Sequence, residues 1–304
     1  MEKKSKKGII IGIASVLVVA AVIVSVILLN KKDAYRIIKI YEVDGVSTVT
    51  RKDIGELEPY NNMVLESGDN IFHKSGKMTL KMDDDKYAYV EENTEFTLIA
   101  EGTSANSRTT IELKNGAITN EIQNKLSDEA SYEINTPNST MAVRGTIYRV
   151  EIYYDEDGKC YTKVSVFQGC VATRLVYPDG SISEEEVSVE AGKEVIIYED
   201  GKTTDYLGDV RDIDYSELPE CVLELLLELN ANGQDINVGV EILEYYLNPG
   251  PFTVTFIYNG NVFGVQVVEK GECAAVPTLL PAPSGEWNFD FSTPIYGDTE
   301  IEWQ

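Results

Sequence analysis

The sequence contains a single histidine and none of the short motifs that mark common catalytic sites. His73 is alone among 304 residues, which excludes histidine-rich metal sites and leaves one candidate base for a catalytic triad. The patterns G-x-S-x-G, P-loop and G-x-G-x-x-G do not occur. Near the histidine, Asp69 and Ser75 are explained by turns at Gly68 and Gly76. We therefore expect a non-enzymatic protein with no catalytic, cofactor-binding or metal-binding residues and no cofactor.

Positive charge is also scarce. The chain has 26 lysines and arginines against 51 aspartates and glutamates, a formal net charge of −25. A nucleic-acid phosphate backbone would meet a repelling field, so nucleic acid is excluded as a partner. Divalent cations could screen the charge weakly without a dedicated site. The acidic run 83–85, followed by Glu91 and Glu92, lacks the spacing and glycine of a calcium loop, and we interpret it as a solvated hairpin tip.

The four cysteines give no clear pattern. Cys160, Cys170, Cys221 and Cys273 lie 10, 51 and 52 positions apart, which matches no zinc motif. Three disulfide connectivities are possible, and free thiols remain equally open. A two-residue turn at 168–169 would put Cys160 out of reach of Cys170.

The one long hydrophobic run lies near the N-terminus. Residues 1–7 form a basic tail, and the 22 residues of 8–29 carry no charge. At about 1.5 Å per residue, such a helix is about 33 Å long, enough to cross a bilayer core of about 30 Å. This pattern predicts an uncleaved transmembrane helix. We expect a single-pass protein of the cell membrane, with its N-terminus in the cytoplasm and its C-terminal domains extracellular.

Residues 35–206 read as one all-β domain. Short β-prone runs alternate with turn dipeptides at intervals of about 8–12 residues, which is typical of a sandwich, barrel or solenoid. The dipeptides are the strongest signal, because positive φ in a hairpin turn favours glycine. They are Asp44-Gly45, Ser67-Gly68, Ser75-Gly76, Asn115-Gly116, Asp157-Gly158, Gln168-Gly169, Asp179-Gly180 and Asp200-Gly201.

The stretch 132–150 is the most distinctive part of this domain. Two β-prone runs flank a segment in which Pro137 should end the first strand at Thr136. Gly145 gives the backbone conformational freedom beside Arg144, and Thr146 opens the second run. An arginine between apolar residues is more often structural than ligand-binding, so we interpret these five residues as a structural signature.

The ordered motifs of residues 40–198 resemble the FecR domain. They are VDGV at 43–46, LESGDNI at 65–71, SG at 75–76, MTLKMDDDKYAYV at 78–90, LKNGA at 113–117, NTP followed by AVRGT at 135–146, VSVFQGCV at 164–171 and AG at 191–192. The resemblance implies an all-β fold, a solenoid or sandwich of short strands. It also implies relatives that span a membrane once and pass an envelope signal to a sigma factor through a cytoplasmic domain. The seven-residue tail here is too short to be such a domain.

After residue 209 the pattern becomes helical. Residues 217–232 repeat leucine at helical spacing after Ser216, a plausible N-cap, and a shorter helix is expected at 237–247. Residues 209–248 are therefore predicted to be a helical linker segment, ended by the sequence NPGP. A partner-binding helix is the less favoured interpretation.

The last segment, 252–304, resembles an internalin-B-type repeat, also called a Listeria–Bacteroides repeat. The residues that carry this resemblance are FTVTFIY at 252–258, VQVVEKG at 265–271 and WNFDFSTPI at 287–295. It implies a small β-grasp-like module of a surface protein. We expect Trp287 and Trp303 to be core aromatics.

Two non-enzymatic functions remain. The favoured one is cell-envelope binding or scaffolding, with a cell-envelope protein or wall polymer as the partner and the membrane contacted by the N-terminal helix. The alternative is a sensory or regulatory ectodomain that transmits an envelope signal through a membrane partner, without a sigma-binding domain of its own.

Overall fold

The computed structural model describes residues 36–103, 106–143, 145–198, 208–279 and 284–304. Contacts divide the chain into two compact units. The first contains the described residues up to Ile213 together with Asp235–Asn237, and the second contains Asp214–Gln234 and the described part of Val238–Gln304.

In its described part, the first unit contains one hydrogen-bonded sheet of fourteen strands. The strands are β1 (Ile38–Arg51), β2 (Gly55–Leu57), β3 (Asn70–Met82), β4 (Lys86–Val90), β5 (Thr94–Glu101), β6 (Arg108–Ile122), β7 (Ser131–Asn135), β8 (Ser139–Val143), β9 (Ile147–Tyr154), β10 (Cys160–Gln168), β11 (Cys170–Val176), β12 (Ile182–Glu190), β13 (Lys193–Tyr198) and β14 (Arg211–Asp212).

The sheet folds over on itself because its long strands change partners halfway along. The second half of β3 pairs with β4 and its first half with β5. The long strand β6 likewise pairs with β5 before Gly116 and with β4 and β9 after it. Two layers result, and β1, β3 and β6 run through both. The front layer has the strand order β1-β3-β4-β6-β9-β10-β13-β14. The back layer has the order β2-β1-β3-β5-β6-β7-β8-β11-β12. All neighbours are antiparallel except the parallel pair β6–β7.

Residues of positive φ mark the line where the chain passes from one layer to the other, which we call the corner line. Three lie inside β1, β3 and β6, and four lie between β4 and β5, β8 and β9, β10 and β11, and β12 and β13. They are Gly45 (φ +92), Gly76 (+96), Asn93 (+58), Gly116 (+82), Gly145 (+76), Gly169 (+80) and Gly192 (+82). Positive φ suits glycine, and asparagine tolerates it better than most residues.

The two layers enclose one hydrophobic core. Alternate residues of β4 (Ala88, Val90) and β5 (Phe96, Leu98) are buried in the same cluster, although these strands lie in different layers. This period-two burial is what the alternating β-runs predicted. Mainly β architecture is thereby confirmed.

Four of the predicted turns are wrong. Asp44-Gly45, Ser75-Gly76 and Asn115-Gly116 lie within continuous strands at the corner line. Gln168-Gly169 is not a hairpin turn either, because β10 pairs with β9 and β13 whereas β11 pairs with β8 and β12. A bend between layers and a hairpin turn both require positive φ, so local sequence cannot separate them.

The second unit contains two short helices and a three-stranded sheet. A 3₁₀ turn (Tyr215–Glu217) precedes α1 (Glu220–Ala231), and α2 is Val240–Leu247. Ser216 lies inside the 3₁₀ turn, and Pro219 occupies the N-cap position of α1 in its place. The sheet has the order β16-β15-β17, with β15 (Phe252–Tyr258), β16 (Asn261–Val268) and β17 (Thr299–Glu302).

The core of this small sheet is aromatic. Phe256 lies 5.3 Å from Trp287 and 6.2 Å from Phe291 between ring centroids. Trp287 is buried, and Trp303 packs against it edge to face at 5.2 Å. Both tryptophans are core aromatics, as predicted.

The predicted fold class needs one correction. Within the described ranges no helix is long and apolar enough to cross a membrane. The segment 8–29, on which the transmembrane prediction rested, lies outside those ranges. The fold that the structure shows is mainly β with two short α-helices, without a membrane-spanning helix.

The close backbone contacts at the corner line predict that replacing one of its glycines lowers the stability of the fold. A Cβ atom on Gly76 would lie 2.3 Å from the carbonyl oxygen of Asp44, and φ there is +96°. Gly76→Ala should therefore reduce the free energy of unfolding by about 3 kcal/mol, from strain and overpacking together. The control is Gly158→Ala, since φ is +77° there but the added Cβ meets nothing within 4 Å. It should cost about 1 kcal/mol. Equal urea midpoints for the two variants would contradict the role of the corner.

Candidate functional site

The signature residues Thr136 and Pro137 form the turn of the β7–β8 hairpin. Pro137 is exposed and β7 ends at Asn135, one residue before the predicted end. The buried Thr136 hydroxyl is 2.8 Å from the Ser139 hydroxyl and accepts a hydrogen bond from the Ser139 backbone N–H at 3.0 Å. Thr162 of β10 also donates to it at 3.0 Å. The hairpin turn of the back layer is thus hydrogen-bonded to the front layer.

Asn138 in the same turn was not identified from the sequence. Its side-chain amide donates to the backbone carbonyls of Cys160 (3.3 Å) and Ile197 (3.2 Å), and its oxygen accepts from Thr162 at 2.6 Å. A turn asparagine usually bonds its own backbone. Here the partners lie on two strands of the other layer, which no local pattern could indicate.

Gly145 and Thr146 lie at the corner line, away from that turn. A Cβ on Gly169 would approach the Gly145 carbonyl oxygen to 2.8 Å, so the two corners are in close backbone contact. The Thr146 hydroxyl donates to the Cys170 carbonyl at 3.1 Å, which fixes the distance between them. Arg144 lies outside the described residues, and its predicted structural role stays a prediction. The other four signature residues lie at the β7–β8 turn and at the corner line, and the structural role predicted for them stays a prediction.

His73 stabilises another corner rather than a catalytic centre. The ring is fully buried, with Nε2 3.1 Å from the Gly76 carbonyl oxygen and Nδ1 2.8 Å from the Ser47 hydroxyl. Because a carbonyl only accepts, Nε2 carries the proton and donates to it, and Nδ1 accepts from Ser47. Burial lowers the pKa of His73, while the Gly76 hydrogen bond and the charge of Glu92 act in the opposite direction. The neutral imidazole connects β1 and β3 beside the corner.

The element LESGDNI of the FecR resemblance contains one partner of a buried ion pair. Asp69 is nearly fully buried and binds Arg51 with both oxygens, at 2.9 Å (Nε) and 2.7 Å (Nη2). It also accepts from the Glu66 backbone N–H at 2.8 Å. The hydrogen bond to Asp69 raises the pKa of Arg51 despite the opposing effect of burial. The aspartate holds the Ser67-Gly68 turn against the end of β1.

The acidic run 83–85 is less solvated than predicted. Arg36 donates to both carboxylate oxygens of Asp83, from Nε and from Nη2, at 3.2 Å each. The buried Lys86 ammonium lies 2.7 Å from a carboxylate oxygen of Asp85. Arg36 also donates to the carbonyls of Glu101 and Arg108 at 2.9 and 2.7 Å. Two of these carboxylates therefore bind basic side chains of the chain itself.

A network of buried charges crosses the outer face of the front layer, where the sequence analysis predicted no site. Arg149 is 3% exposed and binds both oxygens of Glu91, at 2.7 and 2.8 Å, and one oxygen of Glu151 at 2.7 Å. Burial alone would lower the pKa of Arg149, but the two carboxylates outweigh it and raise the pKa. The alternation of charged residues in YRVEIYY could have indicated an outward-facing strand side, but not its partner 58 positions away.

A second buried carboxylate continues this network. Glu194 is fully buried and contacts Lys163 at 3.2 Å and Arg211 at 2.9 Å. Ser165 donates to the same carboxylate at 3.2 Å. Arg149, Glu151, Lys163 and Glu194 all face away from the core, since Val150, Val164 and Val195 between them are core residues.

Two groups of tyrosines lie on this same outer face. In the first, Tyr87 lies 6.3 Å from Tyr41 and 6.4 Å from Tyr89 between ring centroids, and the Lys81 ammonium is 5.2 Å from the Tyr87 ring. We call it the β4 tyrosine group. Ala88 and Val90 point into the core between these rings, so Tyr87 and Tyr89 point outward.

The second, the β10 tyrosine group, is a cross-strand ladder of Tyr153, Tyr161 and Tyr198. Tyr153 and Tyr161 stack in parallel at 5.1 Å, and Tyr198 follows at 5.8 Å. The Lys159 ammonium lies 4.8 Å from the Tyr198 ring. Cross-strand aromatic pairs stabilise a sheet, but Tyr41 is 50% and Tyr153 38% exposed. Each group therefore presents a ring and a lysine to the solvent.

No disulfide joins the cysteines within the described residues. Cys170, Cys221 and Cys273 are exposed, and Cys160 is half-buried. Burial raises the pKa of Cys160, with a smaller opposing effect from Tyr154. Burial thus disfavours the thiolate form of Cys160.

Comparison with known proteins supports part of the predicted relationship. The family model described as FecR protein matches residues 72–172, and a FecR domain in this part of the chain is thereby supported. No curated protein matches the chain. The match does not reach residues 252–304, so the internalin-B-type repeat remains a prediction.

Two crystal structures of candidate anti-sigma factors from Parabacteroides distasonis are also similar to the chain. The first has 15% identity and a TM-score of 0.38, over 51% of this chain and 63% of that chain. The second has 13% identity and a TM-score of 0.38, over 77% of this chain and 98% of that chain. The chain thus spans less than two thirds of the first structure, and similarity at this level carries no functional inference.

The lowered pKa of the buried His73 predicts that the stability of the fold depends on pH. Because the folded-state pKa lies below the unfolded value of about 6.5, the unfolded chain takes up a proton first as the pH falls. Stability should therefore be constant above about pH 7 and decline between about pH 6.5 and the lower folded-state pKa. His73→Gln should show a shallower decline over pH 7.5–5.5 in urea unfolding. The same slope in both proteins would show that His73 does not titrate with folding.

The buried charge network predicts a large cost for removing one partner. Arg149→Met leaves the carboxylates of Glu91 and Glu151 without their cation and should lower the free energy of unfolding by about 3–5 kcal/mol. The control is Arg174→Met, since Arg174 is 48% exposed in its pair with Glu186, and its loss should cost less than about 1 kcal/mol. Chemical denaturation measures both, and similar costs would contradict the buried-network interpretation.

Proposed function

We propose that this protein is a non-enzymatic regulatory protein whose FecR domain acts by binding a signalling protein. The role was the second of the two hypotheses from the sequence. The match to the FecR family now favours it over scaffolding, because the matched residues 72–172 form the centre of the first unit. The location of the chain in the cell stays a prediction.

The observation that supports binding is the exposed part of the two tyrosine groups. Tyrosine is enriched where proteins bind each other, since its ring offers a large contact area with a polar end. The lysines of the two groups, Lys81 and Lys159, place positive charge on a chain of net charge −25. An acidic or mixed-charge protein surface fits this arrangement, and a polyanion such as nucleic acid does not.

The polar interactions described above fit a rigid binding domain better than an active site. Each of these interactions holds strands or turns in place. They are the hydrogen bonds of His73, the ion pairs Arg51–Asp69 and Arg36–Asp83, and the hydrogen bonds of the Thr136 turn. None of them presents a nucleophile beside a base at a cleft. We therefore propose that binding, and not catalysis, is the output of the domain and that no cofactor takes part.

Scaffolding at the cell envelope remains the second candidate. The observation that favours it is the separate second unit, whose small sheet has an aromatic core of its own. Such a module can serve as an attachment point for a cell-envelope protein or wall polymer while the first unit binds elsewhere.

The test is transcriptional complementation in the source organism. Deleting the gene should change the expression of a defined gene set, measured by RNA sequencing, and the wild-type copy should restore it. A copy with Tyr41→Ser and Tyr153→Ser should fail, because it loses one exposed ring of each group. The control copy carries Tyr60→Ser, since Tyr60 is exposed but outside both groups, and it should restore expression. Immunoblots confirm equal protein levels.

Two results would reject the proposal. Deletion without a transcriptional change would remove the regulatory role and leave scaffolding. Full restoration by the double variant would show that the tyrosine groups are not the binding face.

A further inference from the structure

The second unit has almost no positive charge of its own. Of the 26 lysines and arginines of the chain, 25 precede residue 214. Residues 214–304 contain fifteen aspartates and glutamates, a single lysine, Lys270, and no arginine. The Lys270 ammonium donates to the backbone carbonyls of Glu244 and Asn248 at 3.0 and 2.7 Å. The one cation of this unit therefore holds the end of α2, and the carboxylates of the small sheet have no cation of their own unit to pair with.

One face of the small sheet is open to solvent. Phe256, Val254 and Ile301 point into the aromatic core, so the residues that alternate with them point to the opposite side. On that side β16 carries Val265 and Val267, which are 57% and 71% exposed. We call these two residues the valine row.

The other margin of the same face is acidic. Thr255 of β15, the middle strand, stands opposite Val265 of β16 and beside Glu300 of β17. Glu302 follows two residues later, and both glutamates are exposed. We call them the glutamate row. Because neighbouring strands lie about 4.8 Å apart, the two rows are about 10 Å apart, with the shorter side chains of Thr253 and Thr255 between them.

Both rows have the spacing of an extended chain. Residues two apart in a strand lie about 6.7 Å apart, and successive side chains point to opposite sides. A segment lying along β15 in extended conformation would present every second side chain to the valine row and the others to the glutamate row. The two rows therefore match a segment in which apolar and positively charged residues alternate.

We infer that this face of the small sheet binds an extended segment of another protein in which apolar residues alternate with lysine or arginine. Burial of the valine row supplies the hydrophobic contact, and the glutamate row supplies the charge complementarity that selects a basic partner. A second copy of this chain, an anionic lipid surface and a nucleic acid would each bring negative charge to the glutamate row. The contact uses the face of the sheet and not the edge of β16, so the β-bulge at Phe263 does not interrupt it.

Peptide binding to the full chain tests this inference. The probe is a fluorescein-labelled octapeptide of alternating leucine and lysine, and its anisotropy is measured at physiological salt with EDTA, where surface charges are screened beyond about 8 Å. The octapeptide should bind saturably. Two control peptides, one with serine for leucine and one with glutamate for lysine, should each bind at least about ten-fold more weakly, because each lacks one of the two contacts.

One pair of variants tests the acidic margin. Glu300→Gln with Glu302→Gln should raise the dissociation constant of the octapeptide at least about five-fold. The matched control is Glu184→Gln with Glu185→Gln, since these two glutamates are exposed on β12 of the first unit and their replacement changes the net charge equally. The control should bind as the unchanged chain does.

A second pair tests the apolar margin. Val265→Ser with Val267→Ser should also raise the dissociation constant at least about five-fold, because the leucines lose their contact. The matched control is Val46→Ser with Ile182→Ser, which removes two apolar side chains of the first unit that are 56% and 54% exposed, and it should have no effect. Unchanged circular dichroism and urea midpoints exclude unfolding as the cause.

Several outcomes would overturn the inference. They are the absence of saturable binding, equal binding of a control peptide, a control pair that weakens binding as much as its test pair, and a test pair without effect. Sedimentation equilibrium of the chain alone adds one more, since a dimer that the valine variants dissociate would assign the face to a second copy. The face lies in the second unit and includes no member of the tyrosine groups, so its failure would leave the proposed function untouched.

Discussion

The first unit depends on one backbone constraint: its sheet must turn sharply at one line to enclose a core. At seven positions the chain passes between the layers with positive φ, and six of them are glycine. The close approach of Gly45 and Gly76, where an added Cβ on either would lie within 2.3 Å of a backbone oxygen, shows that this is a steric requirement as well as a torsional one. Strand pairing on both sides of the line, the shared core and the positions of the polar clusters all follow from these bends.

The buried and half-buried polar groups of the first unit share one physical logic. Each connects segments that are distant in sequence, and each is satisfied by several partners. Asn138 bonds to Cys160 and Ile197, His73 joins Ser47 to Gly76, and Arg149 holds two glutamates. A buried polar group left without partners costs 1–3 kcal/mol or more, so these clusters are stable only in the folded arrangement. They specify how the two layers fit together, while the hydrophobic core supplies most of the driving force.

Motif residues that suggested a special site are therefore mostly residues of the architecture. Gly45, Gly76, Gly116, Gly145, Gly169 and Gly192 all belong to the motifs of the FecR resemblance, and all lie on the corner line. Function has to be sought in exposed surface residues, and the exposed rings of the tyrosine groups are of this kind. Their common feature is exposed side-chain area that the domain does not need for its own stability.

The sequence by itself determined what depends on near neighbours. Alternating residues set the β-content and core side of each strand, Pro137 set the end of β7, and residue type predicted that Trp287 and Trp303 would belong to the core of the second unit. Tertiary structure alone decided whether a glycine of positive φ makes a turn or a corner, because the torsion is the same and only the strands on either side distinguish the two. It also decided the partners of Arg149, Asp69 and His73, since an ion pair or hydrogen bond between distant strands depends on register, which no local pattern encodes. For the same reason the valine row and the glutamate row of the small sheet became visible only once the register of its strands was known.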